Sequence, residues 1–173
     1  CTLCHTMSAK YVLGVNTAQM NREFDYGAGH GKKNQLDYLN EIGLFTKPLP
    51  ETPAKLAKLS NYHDDSQSVD DRARSYLQSN CSHCHRKWGG GNAEFQLLNT
   101  LSLADTGTIN ERPGQGKFNL ADPRILVPGD PDRSLFHFRM NKLGLGRVPH
   151  TPSTLPDVNA IQHTRESSMH TRQ

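Results

Sequence analysis

One short motif occurs twice in this chain and accounts for every cysteine in it. Cys1-Thr2-Leu3-Cys4-His5 and Cys81-Ser82-His83-Cys84-His85 both read C-x-x-C-H. Two thiols spaced by two residues can each add across one vinyl group of a porphyrin. The histidine that follows is then held beneath the iron as proximal ligand. This is the attachment pattern of a covalently bound c-type haem. It predicts two such haems, on Cys1 and Cys4 with His5, and on Cys81 and Cys84 with His85.

Other uses of paired cysteines stay open at this point. Two C-x-x-C pairs can make a structural Cys4 zinc site, or each pair can be a redox disulfide. A zinc site does not need a histidine immediately after both pairs, and its pairs are more often closer than positions 4 and 81. A thioredoxin-like motif wants a βαβ pattern around it, and no such pattern is present in the sequence.

The 173 residues allow one medium domain or two small ones. Only 34% of them are hydrophobic, which is low for a core of that size; two porphyrins would supply the missing apolar material. The net charge of +3 is too small for a nucleic-acid footprint; it suits an ordinary soluble surface, and docking to an acidic redox partner stays open. No stretch is apolar and long enough to span a membrane. Attachment of c-type haem takes place outside the cytoplasm, so a periplasmic or otherwise exported location is expected. The chain starts on the first motif cysteine, and an export signal and an upstream region are expected before it.

Periodicity predicts mostly α structure with long loops, and no strand alternation strong enough for a sheet. Leu3, Met7, Tyr11 and Val12 are spaced like one helical face ending at Gly14. Residues 18–31 read as loop. Leu36, Leu39 and Ile42 mark a short helix closed by Gly43, and Thr52-Pro53 begins another. Ser68-Val69-Asp70-Asp71 resembles a capping box, and the helix it opens runs into Cys81. Trp88-Gly89-Gly90-Gly91 reads either as a close backbone approach to a flat ligand or as a flexible turn. Asp130-Pro131 caps a helix carrying Phe136 and Met140, with His137 on its surface. A last short helix is expected over 156–162, followed by a patternless tail. The expected division is 1–67, a first haem-binding unit lacking its N-terminal part, and 68–173, a second haem-binding unit.

The sixth ligand decides what a haem does: methionine raises the potential, histidine lowers it, and an open position admits small molecules. Met140 and His150 are the candidates for the second haem, and Met20, His30 and His63 for the first. Arg112, Arg124 and Arg133 could pair with haem propionates.

Three stretches carry a family resemblance. They are Asn80-Cys81-Ser82-His83-Cys84-His85-Arg86, Gly89 to Phe95, and Asp122-Pro123-Arg124-Ile125-Leu126-Val127-Pro128-Gly129-Asp130-Pro131-Asp132-Arg133-Ser134-Leu135. Together with Leu13 to Gln19, Asn34-Gln35-Leu36 and Gly43-Leu44-Phe45, they resemble a bacterial dihaem c-type cytochrome family often appended to sugar-dehydrogenase-like β-propeller domains. The resemblance covers about residues 1–161. It implies two cytochrome c-like haem-binding units, the second of class I type with a helix leading into its motif. It also implies an exported electron-transfer module serving an oxidoreductase that is fused upstream or separate. Two departures stand out. The family reads Arg-Met-Pro after the late helix, with that methionine as distal ligand, whereas this chain has Arg147-Val148-Pro149. The family's C-terminal helix is expected to be cut short or replaced after Ile161. Val148 keeps a rival reading alive, a dihaem peroxidase with one open iron.

Overall fold

The computed structural model describes residues 2–149 and 155–170. The chain divides into two compact units, Cys1–Tyr11 with Ser60–Gln173, and Val12–Leu59. This differs from the expected boundary near residue 67. The first motif segment belongs to the same unit as the second motif, and the residues between them form a unit of their own.

That smaller unit contains α1 (Thr17–Met20), the hairpin β1 (Glu23–Asp25) and β2 (Lys32–Asn34), and α2 (Gln35–Glu41). The strands pair antiparallel with Phe24 opposite Lys33. Sequence alternation could not reveal them, because three residues with largely exposed side chains carry no pattern. Buried Asn21 organises the unit: its Nδ2 reaches the carbonyls of Pro53, Leu56 and Ala57 at 2.8, 3.1 and 3.2 Å, and its Oδ1 accepts from Asn34 Nδ2 at 2.9 Å. Asn34 in turn caps α2 by accepting from the Leu36 N–H. The helix expected after Thr52-Pro53 is a single 3-10 turn, Pro53–Lys55.

The larger unit is built on α3 (Val69–Asn80), α4 (Leu135–Asn141) and α5 (Val158–His170), with α3 and α4 both packed on α5. Ser68 caps α3 by accepting from the Asp71 N–H at 3.1 Å, and its hydroxyl donates to the Asp71 carboxylate. Tyr76, Leu77, Cys81, Leu97 and Ala160 form the core, and Tyr62, Phe95, Phe136 and Met140 pack against it.

Helix α5 overturns two expectations, a helix ending at residue 162 and a helix cut short after Ile161. Its buried stripe is Ala160, Thr164 and Ser168, residues at i, i+4 and i+8 that are small rather than apolar, so no hydrophobic period betrays it. The Thr164 hydroxyl donates to Ala160 O, and that of Ser168 to Arg165 O. His137, expected on the surface, is 4% exposed. Since the Ser168 hydroxyl hydrogen is engaged, Ser168 Oγ accepts at 3.1 Å from His137 Nε2–H. Burial, reinforced by Arg165, pushes the His137 imidazole down to about 4.

The helix expected over the first motif segment is absent. Residues 2–11 form turns, with Lys10 and Tyr11 at φ of 55° and 62°. Leu3, Met7, Tyr11 and Val12, the expected apolar face, are exposed. Among the described residues no helix is long and apolar enough to cross a membrane.

Candidate functional site

Helix α3 delivers the second motif. Cys81 is its C-cap residue, and the chain tightens into a turn in which the N–H groups of Cys84 and His85 donate to Cys81 O at 3.1 and 2.9 Å. Ser82, 1% exposed, donates its hydroxyl to Gln78 O. The His85 ring stacks on Phe95 with centroids 4.4 Å apart and planes 7° from parallel, and His85 O accepts from the Leu97 N–H. Cys81 is buried in the core, which pushes its thiol up to about 12, with Cys84 adding to the shift. The half-buried Cys84 thiol is pushed up to about 11, by burial first and then by the hydrogen bond and charge of Cys4.

The first motif segment is supported differently. His5 Nδ1 lies 2.5 Å from Tyr11 O. A carbonyl only accepts, so Nδ1 carries a proton and Nε2 is the ring nitrogen left to face a metal. Cys4 is half-buried, while Cys1 lies outside the described residues.

The two motifs adjoin. Cys84 Sγ is 3.6 Å from Leu3 O. Ser8 Oγ donates to Lys87 O at 2.7 Å, and an Arg86 guanidinium nitrogen donates to Ser8 O at 2.9 Å. The glycine run makes this approach feasible: a Cβ on Gly90 would fall 1.7 Å from Leu3 O, and one on Gly89 2.3 Å from Cys84 O. What these glycines approach closely is backbone: Gly90 meets Leu3 of the first motif, and Gly89 meets Cys84 of the second. At the junction, the ligand atoms of Cys4, His83 and Cys84 lie within 4.8 Å of one another. Burial lowers the His83 pKa, and the charges of Arg86 and His5 lower it further. Sequence reasoning missed His83 as a member of this group; its position between two motif cysteines was the only signal.

The sixth-ligand candidates scatter. Met140, on α4, packs against the core that contains Cys81. His150 lies outside the described residues. His63 belongs to the unit that holds both motifs, but it is exposed and rests on the Tyr62 ring. Met20 and His30 belong to the smaller unit, where His30 meets Tyr38 edge-on. Arg124 and Arg133 pair with Asp122 at 3.2 and 3.0 Å, and Arg112 is exposed.

The second motif brings together the donor types that a covalently held porphyrin would need. At residues 81–85 one turn carries two thiols and an imidazole, with the His85 ring stacked on Phe95 and Cys81 in the core that includes Leu97 and against which Met140 packs. Among the described residues Cys81 stands outside the cluster that Cys4, Cys84 and His83 make. Comparison of the chain with family models, with curated proteins and with solved structures finds no match.

Proposed function

We propose that this chain is an electron-transfer module bearing two covalent c-type haems. One would be held by Cys1, Cys4 and His5, the other by Cys81, Cys84 and His85. The observation that carries the reading is the adjacency of the two C-x-x-C-H motifs within one unit, sealed by Gly90 against Leu3 and by Arg86 and Lys87 against Ser8. Two redox centres fixed side by side on one scaffold suit electron entry at one and exit at the other.

The haem irons supply the change of valence, and the chain supplies attachment, orientation and a low dielectric. Each thiol would add its sulfur to one vinyl carbon of the porphyrin and its hydrogen to the other, which would need no external oxidant. The Tyr11 carbonyl holds the His5 ring, and Phe95 holds the His85 ring. Met140 is the candidate distal ligand for the second haem, since it packs against the core that contains Cys81 and Val148 has no donor atom. His63 is the candidate for the first haem that shares a unit with both motifs. The partners would be an exported oxidoreductase, fused upstream or separate, and a downstream acceptor, with periplasmic or equivalent localisation.

Visible spectra of the matured protein, oxidised and then reduced, test the reading. Two low-spin haems are expected. Met140→Ala should lower the potential of one haem or turn it high-spin. An unchanged spectrum and potential in that variant would remove Met140 as ligand. A high-spin haem in the parent protein that consumes peroxide would replace the carrier reading by the peroxidase one.

A further inference from the structure

We infer that, before haem is attached, Cys4, Cys84 and His83 form a binding site for one zinc ion, with solvent in the fourth position. The site is neither of the haem motifs: it takes one cysteine from each, and it takes the histidine inside the second motif rather than the one that follows it.

The donor atoms of the three side chains lie within 4.8 Å of one another. Tetrahedral zinc with two thiolates and one imidazole needs donor separations of about 3.6–3.8 Å, given its usual metal–ligand lengths, so closing the site takes shifts on the order of 1 Å. All three side chains are half-buried rather than sealed in the core. The His83 Nδ1 is buried and has no hydrogen-bond partner among the described residues, a cost that a supporting contact made as the ring turns onto a metal would relieve. The surroundings are already rigid. Ser82 is tied to Gln78, Arg86 to Ser8 and to Ser82 O, and Gly90 is wedged against Leu3. Two softer donors and one borderline donor suit zinc better than magnesium or calcium. Binding would exchange two thiol protons for the ion and needs no change of oxidation state.

The consequence is a competition. Zinc held by Cys4 and Cys84 occupies one thiol of each haem motif, so both attachments would have to displace it. The inference does not rest on the haem reading, and the two share no histidine, which allows them to fail separately.

The test is a titration of the full-length haem-free chain with Co(II) under reducing conditions, followed by displacement with Zn(II). One equivalent should bind, with thiolate-to-cobalt absorption for two sulfurs and the visible bands of a tetrahedral ion. His83→Ala should weaken binding by at least about tenfold, since even loss of a hydrogen bond supporting a ligand costs a site tenfold or more. Cys81→Ser should leave affinity and spectrum unchanged, with circular dichroism checking that each variant keeps the parent fold. His83→Ala should still mature with both haems. Equal binding by parent and His83→Ala, or loss of binding in Cys81→Ser, would overturn the site. Two haems with no cobalt binding would defeat this inference alone. Cobalt binding in a chain that never takes haem would defeat the haem reading alone.

Discussion

The same five-residue motif is held in two opposite ways. The second copy sits at the end of a twelve-residue capped helix, with Cys81 in the core. The first copy sits in turns, with Leu3, Met7 and Tyr11 exposed and two residues in left-handed backbone. Its order comes from elsewhere, through Ser8, Leu3 and the glycines after the second motif. One motif is supported locally and the other by a neighbour, so damage should pass from the second to the first and not in reverse.

The largest break in that asymmetry comes from the core. Leu97→Ala, at a side chain 3% exposed beside Cys81, should cost about 2–5 kcal/mol, seen as a lower midpoint in denaturant. Both motifs should loosen together; alkylation of Cys81, normally slow because the thiol is buried, should then accelerate along with that of Cys4. Fast alkylation of Cys81 in the parent haem-free chain would contradict its burial.

Acid should act on the same support by about 3 kcal/mol. His137 is held neutral at the contact of α4 with α5, with its pKa about 4 against an ordinary 6.5. The unfolded chain therefore takes up a proton before the folded one does. Stability from this group is full above about pH 6.5 and declines as pH falls to about 4, by the 2.5-unit gap at 1.36 kcal/mol per unit. Denaturation midpoints across that range check it, and His137→Gln should flatten the slope.

Gly90→Ala tests that damage to the first segment does not pass back to α3. The added methyl collides with Leu3 backbone, so the first segment must move while α3 stays. We expect a loss on the order of 1–3 kcal/mol. Hydrogen exchange should rise at Ala9 and Tyr11, whose amides donate to Thr6 O, and not along α3. Equal acceleration in α3 would show that the two supports are one. The smallest effect is Ser68→Ala, which removes the cap of α3 and should cost about 1 kcal/mol, with faster hydrogen exchange concentrated in the first turn of α3.

What the sequence revealed follows the same line. Helix α3 was legible because cap, apolar face and motif are contiguous from Ser68 to Cys84. Helix α5 was not, since a stripe of Ala160, Thr164 and Ser168 packs by size and satisfied hydroxyls rather than by hydrophobicity. The spacing of Leu3, Met7 and Tyr11 suggested a helix, but no buried surface receives those side chains. The motif residues of the site were readable one by one. Their adjacency was not, because residues some 80 positions apart meet through main-chain contacts that leave only glycines as a trace.

The most direct measurement is the intact mass of the denatured protein after maturation in an exporting host, with haem peptides mapped by proteolysis. The account predicts two haem adducts that survive denaturation, one on the peptide with Cys4 and one on the peptide with Cys81 and Cys84. A fully processed chain carrying no adduct would contradict it.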